Sequence, residues 1–235
     1  VTLDTPMSTD AASTSQNIRD MRRSYGEAGL HESALHSDPI EQFSRWLAEA
    51  ALNPYIVEAN AMVLSTIEGD LAGNVRPASR TVLLKDIDGE NLTFFTNYHS
   101  TKGRQIQVNP HVALLFPWYA MERQVAIKGV ATPVSREITD EYFASRPWGS
   151  QIGAWASSQS EELASREVLE AAYQEFAAKY PEGSRVPTPP HWGGYAVRPT
   201  SIEFWQGRYS RLHDRLIFIR NPHDEASWEI GRLYP

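Results

Sequence analysis

Two neighbouring runs, HVALLFPW (residues 111–118) and RQVAIKGVATPV (residues 123–134), decide the fold. Both are rich in β-branched and aromatic residues, the types that fit a pleated, half-buried surface. Working outward, AMVLSTI (61–67), SRTVLLKDI (79–87) and NLTFFTN (91–97) have the same texture, and Glu68-Gly69 and Asp88-Gly89 punctuate them as hairpin turns do. Short runs at this spacing predict an antiparallel barrel and not a parallel sheet. Further on, YAVRP (195–199), SIEFWQG (201–207), RLIFIR (215–220) and SWEIGRL (227–233) read as additional strands.

Helical signals lie around these strands. Asp38-Pro39 supplies an N-cap and a first-turn proline, and Phe43, Trp46, Leu47 and Ala50 follow at three- and four-residue spacing. A short helix is expected from Ser100 to Asn109, and another from Glu137 to Ser145 that Pro147 ends. A Gly- and Ser-rich loop to Ser160, an amphipathic helix from Glu161 to Tyr180 and a proline-stiffened connector (181–190) come next. IRDMRRSYGEAGL (18–30) predicts a short helix stopped by Gly26 and Gly29. Residues 1–16, rich in Ser, Thr, Asp and Ala, read as a disordered lead, which leaves 17–235 as one α+β domain, mainly β with packed helices.

Composition narrows the function. The chain has 235 residues, 41% of them hydrophobic, enough for a sizeable core. A formal charge of -7 argues against nucleic-acid or anionic-membrane partners, so any basic site must be local. With no cysteine there is no thiol nucleophile and no disulfide, which suits a reducing, cytoplasmic setting. Seven histidines are scattered without an HExxH-type pair, so no metal site is expected. The longest apolar run, Val112 to Met121, is too short to span a bilayer.

Several stretches could carry chemistry. If FWQGRYSRLHDR (204–215) is extended, Arg211, His213 and Arg215 share one face and call for an anion or an electron-rich ring. Trp205 and Gly207 lie just upstream. Arg80 and Lys85 have opposite parity on one expected strand and would serve two different anions. Ser100, Thr101 and Lys102 open a helix, where free N–H groups favour phosphate. Tyr142 and Arg146, four apart, with Ser150 beyond Pro147, could form a phosphate cup. Each pattern also has an ordinary structural reading: a solvated strand, a snorkelling lysine, a helix cap, a tyrosine packed on an arginine stem.

Together the motifs resemble one family. SRTVLLK (79–85), FFTN (94–97), NPHVALLFPW (109–118), ERQVAIKG (122–129), YFASRPWGSQIGAWAS (142–157), QS (159–160), WGGY (192–195), EFWQG (203–207) and RLHDR (211–215) are similar, in order, to those of the pyridoxine/pyridoxamine 5′-phosphate oxidases. The resemblance implies an antiparallel split β-barrel, a homodimer with FMN at the subunit interface, and oxidation of pyridoxine or pyridoxamine 5′-phosphate by O2. It assigns FMN contacts to Arg80, Thr81, Val82, Leu83, Leu84, Lys85, Phe95, Thr96, Thr101, Lys102, Gln124, Gln159, Ser160, Trp205 and Arg215. It assigns the substrate phosphate to Lys85, Tyr142, Arg146 and Ser150, the pyridine ring to the catalytic pair Arg211 and His213, and a lid to Arg22 and Tyr25. The family commonly has Arg where this chain has Thr101, so Arg104, one turn on, is a candidate substitute. The rival expectations are a non-catalytic flavin or pyridoxal-phosphate carrier on the same barrel and another split-barrel oxidoreductase.

Overall fold

A computed structural model describes residues 25, 26, 29–69 and 73–235. The expected lead (1–16), most of the expected helix from Ile18, and Arg22 lie outside these residues. Nine strands form one antiparallel sheet: β1 (Ala61–Gly69), β2 (Val75–Leu83), β3 (Asp86–Asp88), β4 (Asn91–Asn97), β5 (His111–Trp118), β6 (Arg123–Pro133), β7 (Trp192–Gln206), β8 (Asp214–Arg220) and β9 (Trp228–Leu233). The strand order is β2-β1-β5-β6-β7-β4-β3, and β8 and β9 continue from the other part of β7.

The expected barrel is not closed. β2 and β3 lie at opposite ends of the strand order, yet only Leu84 and Lys85 separate them in the chain. Leu84 donates its N–H to Asn60 C=O at 2.9 Å, beside β1, and Lys85 donates its N–H to Thr93 C=O at 2.8 Å on β4. The sheet therefore curls until its two rims meet, but no ladder joins β2 to β3 or β4 among the described residues. This seam also corrects the expected strand SRTVLLKDI, which breaks at Leu84. Strand parity consequently does not relate Arg80 to Lys85.

One face of the sheet is core. The cross-strand partners Leu64, Leu114, Ile127, Ile202 and Phe218 are all nearly inaccessible. Helix α1 (Pro39–Leu52) covers them with Phe43, Trp46 and Ala50, and Phe43 sits 4.8 Å from the ring of Phe116. Burial of Phe43 alone contributes about 1.5–3 kcal/mol. Asp38 caps α1 as expected, accepting the Ile40 N–H at 2.8 Å.

The other face is half-exposed. Thr81, Val63, Leu115, Ala126, Glu203 and Ile217 are successive partners across six strands, mostly small or apolar.

Among the described residues there are four further α-helices: α2 (Thr101–Val108), α3 (Arg136–Ser145), α4 (Trp148–Ala156) and α5 (Arg166–Lys179). Helix α4 occupies the expected Gly/Ser loop, because Pro147 caps a new helix as well as ending the old one. Helix α5 starts five residues later than expected, after the N-cap Ser165. YAVRP and SIEFWQG merge into one long strand, β7, which absorbs a bulge opposite Lys128/Gly129. A Cβ on Gly129 would come within 2.5 Å of the Arg198 carbonyl oxygen, so only glycine fits there.

Candidate functional site

A cavity of about 480 Å³ opens at the seam. Thr81, Val82 and Leu83 at the end of β2 form one wall, and Phe95, Thr96 and Asn97 of β4 form the facing wall. Lys85 projects from the crossing itself, where it is exposed to solvent. Lys102 closes one end from the first turn of α2, whose N-cap Ser100 accepts the Gly103 N–H. Tyr142, Arg146 and Ser150 close the other end. Arg146 is the C-cap of α3 rather than part of its helical face. It still lies near enough to Tyr142 for the two to interact electrostatically.

Positive charge in the cavity is poorly compensated. No carboxylate lines it among the described residues. Nη1 of Arg146 is buried and has no hydrogen-bond partner, while the guanidinium lies 4.7 Å over the ring of Trp192. Burial pushes the Arg146 pKa down. Lys102 is likewise held below the usual lysine range, first by burial and then by the charge of Arg80. Its Nζ donates to Gln159 Oε1 at 2.9 Å, and Thr96 Oγ1 donates to the same oxygen at 3.2 Å. Arg80 is not on the wall. Its guanidinium is turned inward onto Thr66 Oγ1 (2.6 Å) and Gln105 Oε1 (3.1 Å), from where it adds field behind Lys102.

The cavity also has a flat apolar side. Phe95 stacks on Tyr142 at 4.0 Å and on Trp192 at 5.4 Å, with interplanar angles of 18° and 11°. Cations without counter-ions beside stacked rings suit a planar ligand bearing phosphate. The FMN implied by the resemblance is such a ligand. Burial raises the Tyr142 pKa, so its hydroxyl remains a neutral donor.

Other expected residues lie elsewhere. Leu84 is buried in the core, Thr101 opens α2 away from the cavity wall, and Ser160 is exposed with a φ of 74°. Arg104 pairs with Glu161 at 3.0 Å and does not reach the cavity. Gln124, Trp205 and Arg215 form one cross-strand row on the half-exposed sheet face. Arg215 there holds Glu203 with two hydrogen bonds, at 2.8 and 3.0 Å.

The shared strand face expected for Arg211, His213 and Arg215 is not found. Tyr209–Arg211 is a 3-10 turn in which Ser210 and Arg211 have φ of 56° and 63°, and the strand resumes only at Asp214. Arg211 stands exposed at the turn. His213 sits below it, 4.7 Å from Trp205, with the edge of Tyr25 against both rings. This aromatic group and the seam cavity lie at opposite ends of β7. Gly194 pairs with Phe95 and Trp205 lies eleven residues later, roughly 35 Å along an extended strand. One protomer does not bring Arg211 and His213 to Lys85 and Arg146.

Sequence reasoning missed Asn97, Gly153, Ala154, Ser157 and Trp192 on the cavity wall. All five fall inside quoted motifs, but nothing in their spacing gives them a role.

Comparison with known proteins decides the family. Residues 48–180 match the family described as "Pyridoxamine 5'-phosphate oxidase", and residues 192–235 match the "Pyridoxine 5'-phosphate oxidase C-terminal dimerisation region". The chain belongs to the pyridoxamine 5′-phosphate oxidase family.

Among its relatives, the pyridoxine/pyridoxamine 5′-phosphate oxidase of Rubrobacter xylanophilus is 50% identical over 220 residues, covering 94% of this chain and 97% of that protein. The one from Streptomyces avermitilis is 48% identical over 218 residues, covering 92% and 95%. A solved structure of PhzG from Burkholderia lata, in complex with tetrahydrophenazine-1-carboxylic acid, superposes with a TM-score of 0.79 at 31% identity over 89% of this chain and all of that one. An FMN-binding, pyridoxamine 5′-phosphate oxidase-related protein from Nostoc punctiforme shares the fold, with a TM-score of 0.65 at 16% identity over 86% of this chain and all of that one. Membership of the oxidase family makes the protein an FMN-type oxidoreductase, and the dimerisation-region match supports a homodimer. No helix of the described residues is long and apolar enough to cross a membrane.

Proposed function

We propose that the protein oxidises pyridoxine 5′-phosphate or pyridoxamine 5′-phosphate to pyridoxal 5′-phosphate, with O2 as acceptor and hydrogen peroxide as product. The observation that carries this reading is the convergence of Lys85, Tyr142, Arg146 and Ser150 on one cavity that also holds Phe95, Thr96, Lys102 and Gln159. The first set offers two cations and two hydroxyls to a phosphate ester. The second offers a cation at a helix N-terminus to the cofactor's phosphate. FMN, when bound, supplies the hydride acceptor and hands the electrons on to O2.

The residues' own task is positioning. Arg146, braced on Trp192, and Lys85 anchor the substrate's phosphate, and Tyr142 adds a neutral hydroxyl. Arg211 and His213 hold the ring of a substrate bound in the partner protomer's cavity. Gln124, Trp205 and Arg215 reach the partner's cofactor from the same sheet face. Two features support this reading: the length of β7 between the two groups, and the mostly small or apolar row from Thr81 to Ile217, a surface suited to a two-fold interface. The absence of cysteine suits a cytoplasmic enzyme.

Subunit complementation tests both parts. Arg146→Ala and His213→Ala homodimers should each be nearly inactive with pyridoxine 5′-phosphate. Random mixing after co-expression should restore about a quarter of wild-type activity, since half the dimers then carry one intact site. No recovery would sink the shared-site arrangement. Tight FMN binding without oxygen uptake in the wild type would favour a carrier. The likeness to the phenazine-ligand structure motivates a second reading, oxidation of a tricyclic carboxylate. Turnover of such an acid, and none of the phosphate esters, would select it.

A further inference from the structure

Asp214 follows His213 and has no assigned role. It is 8% exposed, and its carboxylate is fully engaged. Oδ2 accepts the Leu30 N–H at 2.9 Å and Nη1 of Arg208 at 3.2 Å, while Oδ1 accepts Nη1 of Arg232 at 2.6 Å. The tether to Arg208 matters because Arg208 donates its own backbone N–H to Nδ1 of His213 at 3.0 Å. A ring nitrogen that accepts a hydrogen bond carries no proton, so the neutral imidazole keeps its proton on Nε2.

The surroundings favour that neutral form. Burial, and then the charge of Arg211, push the His213 pKa below its usual value. The charged and titratable groups around the ring are Tyr25 from the N-terminal segment, Arg208 and Arg211 from the turn, and Asp214 from β8. Gly26, next to Tyr25, donates its N–H to Glu122 Oε2 at 2.7 Å, and Leu30 donates its N–H to Asp214. The turn itself contains two consecutive left-handed residues that are not glycine, a conformation that persists only where surrounding contacts over-determine it.

We propose that Asp214 is a positioning residue which, through Arg208, locks His213 as the Nε2–H tautomer, so that the imidazole meets the substrate as a hydrogen-bond donor. The consequence for turnover rests on the oxidase reading given above. The tautomer does not, and can be read without substrate.

The test is nitrogen-15 NMR of the full-length, FMN-loaded protein with labelled histidine, the His213 signals being assigned by their loss in His213→Ala. The wild type should show a protonated Nε2 and a bare Nδ1. Asp214→Asn should show mixed tautomers, with kcat lowered by about tenfold, the worth of one hydrogen bond, and KM little changed. Arg208→Ala should shift the tautomer in the same direction. Because Arg208 is part-exposed, that variant carries the test if Asp214→Asn fails to fold. An Nδ1–H tautomer in the wild type, or an unaltered tautomer in both variants, overturns the proposal. The expected tautomers in a protein that oxidises no phosphate ester would leave the positioning intact and refute the oxidase reading.

Discussion

The guanidinium of Arg146 lies over the indole of Trp192, 4.7 Å from its centroid, with one buried nitrogen left unpartnered. Stacking and a free donor together mark a group held ready for an anion. A lysine at this position keeps the charge but loses the planar stack and the forked donors. Arg146→Lys should therefore raise KM for pyridoxine 5′-phosphate about tenfold or more, or about 1.4 kcal/mol, with a smaller change in kcat. Steady-state kinetics checks this, and an unchanged KM would show that the phosphate lies elsewhere.

Lys102 donates to Gln159 from the first turn of a capped helix, and burial and Arg80 together destabilise its charge. Phosphate in the cavity would relieve both effects. Lys102→Met should weaken FMN binding by about ten- to a hundredfold, matching the 1.5–3 kcal/mol of a charge-assisted hydrogen bond. Flavin fluorescence titration measures the change, and equal dissociation constants would remove Lys102 from the cofactor site.

Thr101 precedes that lysine, and Arg104, the candidate substitute for an arginine there, pairs with Glu161 on the surface. Thr101→Arg should tighten FMN binding by bringing a second cation to the helix N-terminus. An unaffected dissociation constant would mean that Lys102 and the backbone N–H groups already saturate the phosphate.

Glu32 accepts two hydrogen bonds from Arg232, and this pairing holds its pKa down to about 2 from an ordinary 4.5. Its folded pKa is depressed, so its contribution to stability is full above pH 4.5 and is lost as pH falls towards 2. Thermal unfolding midpoints across that window should decline more shallowly in Glu32→Gln than in the wild type. Since the pair is exposed, added salt should shrink the difference. Parallel declines would show that Glu32 contributes nothing there.

The parts of the molecule legible in the sequence are those in which local chemistry determines the outcome. The N-cap at Asp38, the helix opened by Ser100 and the strand runs from Ala61 to Pro133 follow from side-chain period and capping. Period is blind where the backbone departs from it. Leu84 interrupts an apolar run that reads as continuous strand, because the chain changes sheet rim there and no side chain records the change. Ser210 and Arg211 adopt left-handed conformations that a glycine-based turn rule passes over, so the extended reading of RLHDR fails. The long separation of Arg146 from His213 was equally invisible, since strand length beyond a proline such as Pro199 is decided by neighbours in the sheet. Family motifs brought these residues together in expectation, and the proposed shared site brings them together across two protomers.

The crossing at Leu84 and Lys85 has one more consequence. Because the rims it joins share no ladder among the described residues, the two backbone hydrogen bonds at the crossing itself, Leu84 to Asn60 and Lys85 to Thr93, are what tie the wall bearing Leu83 to the wall bearing Phe95. The girth of the cavity is thus uncoupled from the ladders of the sheet. A scaffold built this way can be refitted for guests of different breadth by exchanging a few side chains, with its strands left as they are.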